Sequence, residues 1–192
     1  MWKPGQQVQL ETERFLLNTL NNRFQIVWYT FDWTYDPEVM HPYGLQAGIW
    51  TRRKWYRRFK KPDNRRRFYF GIWPKGSEKP IGLEIVDIDA RRVATLSIVI
   101  GDRRWWGKGV VQETRRAVIA FIFEQLQCPR VWGMPTARNF PSIFNYQKLG
   151  FTCEGILRQH GIDPATRQRC DIIVYSMLRD EWLEKNRREA AA

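Results

Sequence analysis

The sequence predicts an α/β (α+β) domain on a mixed sheet, and three observations carry that expectation. Residues 67–73 (RFYFGIW), 80–88 (PIGLEIVDI) and 92–101 (RVATLSIVIG) are short runs rich in β-branched and aromatic residues, separated by turn residues. After Gly109 the apolar period changes. Val111, Thr114, Val118, Phe121, Ile122 and Leu126 follow i, i+3, i+7, i+10, i+11 and i+15, one face of a helix of about four turns. Beyond Pro129 a strand, a helix and two further strands follow. With 43% hydrophobic and 15% aromatic residues in 192, apolar surface is ample for one packed domain over 1–192 and excludes a disordered chain.

Taken in order, residues 10–20 alternate apolar and polar and read as a first strand. Residues 21–48, with Pro37 and Pro42 among many aromatics, read as one or two short helices and loops. Residues 50–60 form a basic helix, closed by Pro62 and the Asp63-Asn64 turn. Runs 67–73 and 80–88 make a hairpin about the 75–77 turn, and 92–101 is apolar enough to be buried on both faces. Residues 130–134 are a short strand, and 139–149 a short helix stopped by Gly150. Residues 151–159 and 170–178 are two last strands about the Asp163-Pro164 turn.

Several function classes drop out. No apolar run approaches the roughly 20 residues that span a bilayer. Residues 1–10 are polar and lack a signal-peptide core, which predicts a cytoplasmic protein. Cys128, Cys153 and Cys170 are odd in number and widely spaced, with no C-x-x-C. They support neither a disulfide framework nor a zinc site and read as reduced filler. No metal is expected.

Charge is the first positive clue. The chain carries a net +12, and residues 52–67 (RRKWYRRFKKPDNRRR) hold ten bases and one acid, Asp63. A field that dense attracts phosphates, nucleic acid or an acidic protein surface, although a solvated helix face has the same composition. Trp55, Tyr56 and Phe59 fall at helical spacing and can dock the helix with its bases outward.

Two constellations carry chemistry. In Arg104-Trp105-Trp106-Gly107-Lys108-Gly109-Val110 two glycines stand at the entry of a helix. Backbone N–H groups there can approach a pyrophosphate with no Cβ in the way, and the helix N-terminus adds partial positive charge. An ordinary tight turn is the alternative, since Gln112 breaks the full G-x-G-x-x-G pattern. Asn139, Ser142 and Tyr146, at i, i+3 and i+7, line one stripe of the short helix. The alternative there is that Asn139 caps the helix and Tyr146 packs.

Together with Lys148-Leu149-Gly150-Phe151, these features resemble the GNAT superfamily of acyl-CoA-dependent N-acyltransferases. Arg104-x-x-Gly107-x-Gly109 is similar to that family's pyrophosphate loop, and Asn139-x-x-Ser142-x-x-x-Tyr146-x-x-x-Gly150-Phe151 to its second signature. Thr12-Glu13-Arg14, Pro80-Ile81-Gly82, Trp106-Gly107-Lys108-Gly109 and Tyr175-Ser176-Met177-Leu178 resemble the RimJ/RimL branch, named for ribosomal-protein N-terminal acetyltransferases. The likeness covers residues 10–182.

The resemblance implies a mainly antiparallel mixed sheet with splayed central strands and flanking helices. It implies acetyl-CoA, or another acyl-CoA, as co-substrate and transfer to a primary amine by direct attack on the thioester. The pantetheine arm would pair with main chain at Ile98, Val99 and Ile100, and the pyrophosphate would sit on the segment Trp105, Trp106, Gly107, Lys108, Gly109, Val110 and Val111, beside Arg104. Asn139 and Ser142 would face the pantetheine, and Tyr146 would be the general acid that protonates the departing thiolate. Thr95 stands where relatives often carry a Glu. Glu84 is the nearest substitute base, with Asp87 and His160 weaker, and a salt-bridge role fits each of them as well. The segment between the first two strands of the fold would wall the acceptor cleft. Here it is aromatic (Trp28, Tyr29, Phe31, Trp33, Tyr35, Tyr43, Trp50) and then basic, which favours an amine on an anionic carrier: a nucleotide sugar, an RNA-associated protein or an acidic peptide. An RNA- or ribosome-binding module with weak or lost catalysis is the alternative function. The sequence sets no oligomeric state, and a homodimer is compatible with it.

Overall fold

The computed structural model describes residues 3–191. Eight strands form one sheet: β1 (Gln9–Glu11), β2 (Phe15–Thr19), β3 (Arg67–Pro74), β4 (Gly82–Ile88), β5 (Val93–Ile100), β6 (Arg130–Gly133), β7 (Thr152–Ile162) and β8 (Arg169–Leu178). Their order is β1-β2-β3-β4-β5-β6-β8-β7. Every neighbouring pair is antiparallel except β5 and β6.

Strand alternation divides the apolar residues between two faces. Phe68, Phe70 and Ile72 of β3, Val86 of β4 and Ala94 and Leu96 of β5 face a core shared with α4 (Val110–Ala120), α5 (Phe140–Leu149) and α6 (Arg179–Ala191). Tyr69, Leu83, Ile85 and Val99 point the other way, into a second core under α1 (Arg23–Thr30), α2 (Pro37–Met40) and α3 (Arg52–Arg58). Helix α3 is the basic helix of the sequence. Thr51 caps it, Trp55 and Phe59 are buried against that core, and the Trp55 indole N–H donates to Thr30 Oγ1 at 2.8 Å. Half of the aromatics of residues 21–50 (Tyr29, Phe31, Trp33 and Trp50) serve this second core, while Phe24, Trp28 and Tyr35 remain exposed.

Two elements depart from the sequence expectation. Residues 10–20 are not one strand but the hairpin of β1 and β2, turned where the Thr12 N–H donates to the Phe15 carbonyl and the Phe15 N–H donates to Thr12 Oγ1. No glycine or proline marks that turn; Glu113 of α4 holds it from outside by accepting from Thr12 Oγ1, the Arg14 N–H and Arg14 Nε. The helix α6 follows the last strand directly. Its sequence, RDEWLEKNRREAA, is charged almost throughout and shows no apolar stripe to read, and Trp182 anchors it by packing on Phe123.

The central strands splay. Parallel pairing of β5 with β6 spans only Val93–Arg130, Ala94–Val131 and Thr95–Trp132. Beyond that point β5 runs on to Ile100, whereas the chain after Gly133 turns off, with the Pro135 carbonyl accepting from the Ile173 N–H beside β8. A wedge-shaped notch opens between the two strands.

Candidate active site

The free edge of β5 along the notch follows from its pairing with β4. Gly101 N–H donates to the Ile81 carbonyl, and the Val99 carbonyl is turned to the β4 side, 2.8 Å from where a Cβ on Gly82 would stand. Main-chain groups alternate along an antiparallel strand, so those of Leu96, Ile98 and Ile100 face the notch. The three residues expected to meet the pantetheine therefore divide. Ile98 offers open main chain, Ile100 has its carbonyl taken by the Trp106 indole N–H at 2.9 Å, and Val99 turns its main chain to β4 and its side chain into the second core.

The glycine loop closes the far end of β5. Gly107 (φ 71°) and Gly109 (φ 72°) both take the left-handed conformation that a Cβ would strain. Gly109 is the N-cap of α4 and contributes no side-chain cap, so the amides of Val110, Val111 and Gln112 have no carbonyl one turn back. Trp105 anchors the loop edge-on against Phe15, with Lys108 Nζ 5.7 Å from its centroid. The loop arginines are committed elsewhere. Arg104 binds Asp102 through Nε and Nη2, and Arg103 pairs with Asp36 and Glu38. The positive character of the loop thus rests on backbone amides and Lys108, and less on Arg104 than the motif implies.

Tyr146 lies at the vertex of the notch. Helix α5 buries the ring to 3% exposure, stacked at 5.3 Å on Tyr175 and edge-on to Phe151. Its hydroxyl donates to the Leu96 carbonyl at 3.4 Å, one residue past the last β5–β6 pair. Room for it exists only because residue 133 is glycine: a Cβ there would stand 1.8 Å from the hydroxyl oxygen. Gly133 belongs to the site although sequence reasoning passed over it; a glycine closing a short strand is the signal of such a close approach.

Glu84 is close to Tyr146 but sealed. Its side chain is fully buried on the α4 side of the sheet, and Oε1 accepts from Arg115 Nε at 2.9 Å, itself 1% exposed. Burial pushes its carboxyl up to about 7 against the pull of Arg115. That geometry makes Glu84 half of an internal ion pair, the salt-bridge role that the sequence also allowed. Arg115 was also missed. It sits four residues after Val111 and three before Val118, on the apolar stripe, and an arginine at such a position is the signal that could have found it. Asp87 binds Arg67 and Lys60, and His160 lies on the outlying strand β7. Thr95 accepts the Trp132 indole N–H at 2.8 Å.

Ser142 and Tyr146 lie on α5, whereas Asn139 precedes it as the N-cap, the capping role that the sequence also allowed. Its Oδ1 accepts the Ser142 N–H and its Nδ2 donates to the Pro42 carbonyl at 2.8 Å, tying the segment after α2 to the start of α5. Ser142 is half-buried. Gln112, which breaks the longer glycine pattern, joins α4 to α5 by donating to Asn145 Oδ1 at 2.6 Å. Among the described residues no cluster of His, Cys, Asp and Glu could hold a metal ion, and no helix is long and apolar enough to cross a membrane.

Residues 14–152 match the family described as acetyltransferase (GNAT) domain. No curated protein sequence matches significantly. Among solved structures, an acetyltransferase (GNAT family) from Bacillus anthracis is 19% identical with a TM-score of 0.72, over 91% of this chain and 100% of that one. Ribosomal-protein-S5-alanine acetyltransferase from Vibrio fischeri is 21% identical with a TM-score of 0.72, over 91% and 98%. Spermidine N-acetyltransferase from Vibrio cholerae, in complex with CoA and spermine, is 17% identical with a TM-score of 0.75, over 88% and 98%. These three likenesses are of fold, the mixed sheet with its flanking helices. The family match covers well over half of the chain, and on it the chain belongs to the GNAT family of acetyltransferases.

Proposed function

We propose that the chain transfers an acetyl group from acetyl-CoA to a primary amine on an anionic or macromolecular acceptor, by direct attack on the thioester, in the manner of the RimJ/RimL branch. The observation that carries this reading is the place of the Tyr146 hydroxyl, at the vertex of a notch whose β5 edge offers open main chain at Ile98. The residues present fit acetyl-CoA: uncapped amides at Val110, Val111 and Gln112, two left-handed glycines without side chains, and a strand edge with unpaired main chain. Acetyl-CoA supplies the acyl group as an activated thioester. The uncapped amides of Val110 and Val111, with those of the two loop glycines, would hold the pyrophosphate, and the Ile98 main chain would align the arm. A main-chain N–H of β5 stabilises charge developing on the thioester oxygen. Tyr146 gives its hydroxyl proton to the departing sulfur. With Glu84 enclosed, the amine loses its proton to solvent, and no carboxylate on the α4 side takes part.

The acceptor class rests on α3 and the segment after it. Trp55 and Phe59 point inward, and Arg53, Lys54, Arg57, Lys61, Arg65 and Arg66 are exposed. An ammonium-rich acceptor is repelled there and an anionic carrier is held. The same exposed cations favour the second reading, an RNA-binding module. That reading requires an RNA affinity well above that of a generic basic protein, with a salt slope that these arginines set.

Replacing Tyr146 by Phe tests the acid directly. Turnover should fall by roughly 10²-fold, the usual worth of a positioned proton donor, with the Kd of acetyl-CoA nearly unchanged. An unaltered rate removes Tyr146 from the mechanism.

A further inference from the structure

A buried ion pair is a weak device for stability, because apolar residues of similar volume commonly serve as well. Glu84 and Arg115 are 0% and 1% exposed, and they lie beneath the vertex of the notch. Glu84 spends one oxygen on Arg115; its Oε2, also buried, has no hydrogen-bond partner among the described residues. The pair is therefore not arranged for the strongest contact, the two-pronged fork that a guanidinium and a carboxylate can form. What the arrangement achieves is to hold the guanidinium under Tyr146, with its carbon 5.2 Å from the ring centroid. On the other elements packed against this ring, the titratable neighbours are Glu84 on β4 and Tyr175 on β8.

We infer that Arg115 is a positioning residue for the acetyl transfer, clamped by Glu84 so that its charge fixes the Tyr146 phenol at the notch and stabilises the phenolate left when the proton departs. The inference rests on the reading of Tyr146 as general acid. In the step concerned, the C–S bond breaks with its electron pair on sulfur, the Tyr146 O–H bond breaks and an S–H bond forms. The phenolate stays beside Arg115 until solvent returns the proton. The electrostatics run the same way: burial raises the pKa of Tyr146, and the charge and hydrogen bond of Arg115 oppose it. Burial also works against the charge on Arg115, but Glu84 and Tyr146 outweigh it and the guanidinium stays protonated.

The test compares the affinity of CoA with that of desulfo-CoA, which lacks the sulfur, by calorimetry at pH 8. Both ligands are titrated into the same preparation, so a general loosening lowers both affinities and leaves their ratio unchanged. The proteins are the wild type, Tyr146→Phe, the paired replacement Glu84→Leu/Arg115→Leu and the triple variant. If the leucine pair does not fold, Glu84→Gln/Arg115→Met takes its place. Wild type should prefer CoA by up to about tenfold, the worth of one hydrogen bond to the sulfur. Tyr146→Phe should bring the ratio to near one, the paired replacement should remove most of it, and the triple variant should lose nothing further, because Arg115 acts through Tyr146. A paired replacement that keeps the wild-type ratio while Tyr146→Phe loses it overturns the role of Arg115 alone. So does a triple variant that falls below Tyr146→Phe. A ratio near one in the wild type, or one unmoved by Tyr146→Phe, overturns the acid reading and this inference with it.

Discussion

The hydroxyl of Tyr146 and the missing side chain of Gly133 occupy the same small volume, and the site depends on that exchange. Gly133→Ala places a Cβ 1.8 Å from the hydroxyl oxygen and 2.6 Å from Cζ, so the ring has to tilt away from the vertex. The cost in stability should stay within roughly 1–3 kcal/mol, that of a mild overpacking, because the displaced atoms are the end of one side chain. Turnover should fall at least tenfold, as misplacing a reacting group by about an ångström does. Thermal unfolding and steady-state rates on the same protein check both; full activity in a folded Gly133→Ala would mean that the hydroxyl position is immaterial. At this scale the sequence was partly legible. Glycines at fixed spacing and a tyrosine on a helical stripe can be read from one segment. The Glu84–Arg115 pair joins residues 31 apart on different elements, and no local pattern reveals such a contact.

Among the elements, β6, β7 and β8 are locked together on the outer side of the notch. Arg130 of β6 reaches across β8 to Glu154 of β7, with Nη1 and Nη2 donating at 2.6 and 2.5 Å, and Ser176 Oγ adds a bond at 2.6 Å. The bonds from Arg130 and Ser176 hold the Glu154 carboxyl down to about 2, against an ordinary 4.5. A carboxyl depressed in the folded state stabilises fully above its unfolded pKa and loses that contribution as pH falls through the folded one. Wild type should therefore lose stability between about pH 5 and pH 2 more steeply than Glu154→Gln does. Superimposable curves of Tm against pH would show that the bridge contributes nothing. The strands of this half were legible, and so were β3, β4 and β5. The β1–β2 hairpin was not, because its turn is fixed by a side chain of α4, and α6 was not, because a charged helix with a single aromatic anchor has no period to see.

On the whole molecule, charge and chemistry are segregated. The net +12 concentrates on and after α3, whereas the notch is lined by main chain and buried rings. Replacing Arg53, Arg57, Lys61 and Arg65 together with Ser should leave the Kd of acetyl-CoA unchanged and raise the KM of an anionic amine acceptor. The salt dependence of that KM should flatten by about 0.7–0.9 in logarithmic slope for each phosphate that no longer meets a cation. KM measured from about 50 to 300 mM salt checks it, and an unchanged slope would place the acceptor away from this face. The family was legible because the glycine loop and the α5 signature are short, local and ordered along the chain. The acceptor was not, because no short, ordered pattern in the chain marks one, and contacts between distant segments, such as the Pro42 carbonyl meeting Asn139, leave no local signal.

The most direct measurement is a calorimetric titration of acetyl-CoA into the wild type and Gly109→Glu. Residue 109 has φ 72° at an uncapped helix start, so a glutamate there adds backbone strain and puts negative charge where phosphate oxygens are to sit. Saturable micromolar binding by the wild type, weakened at least tenfold in a folded Gly109→Glu, is the predicted result. A folded wild type that does not bind acetyl-CoA, or a variant that binds equally well, would contradict a working acyl-CoA site between β5, β6 and the start of α4.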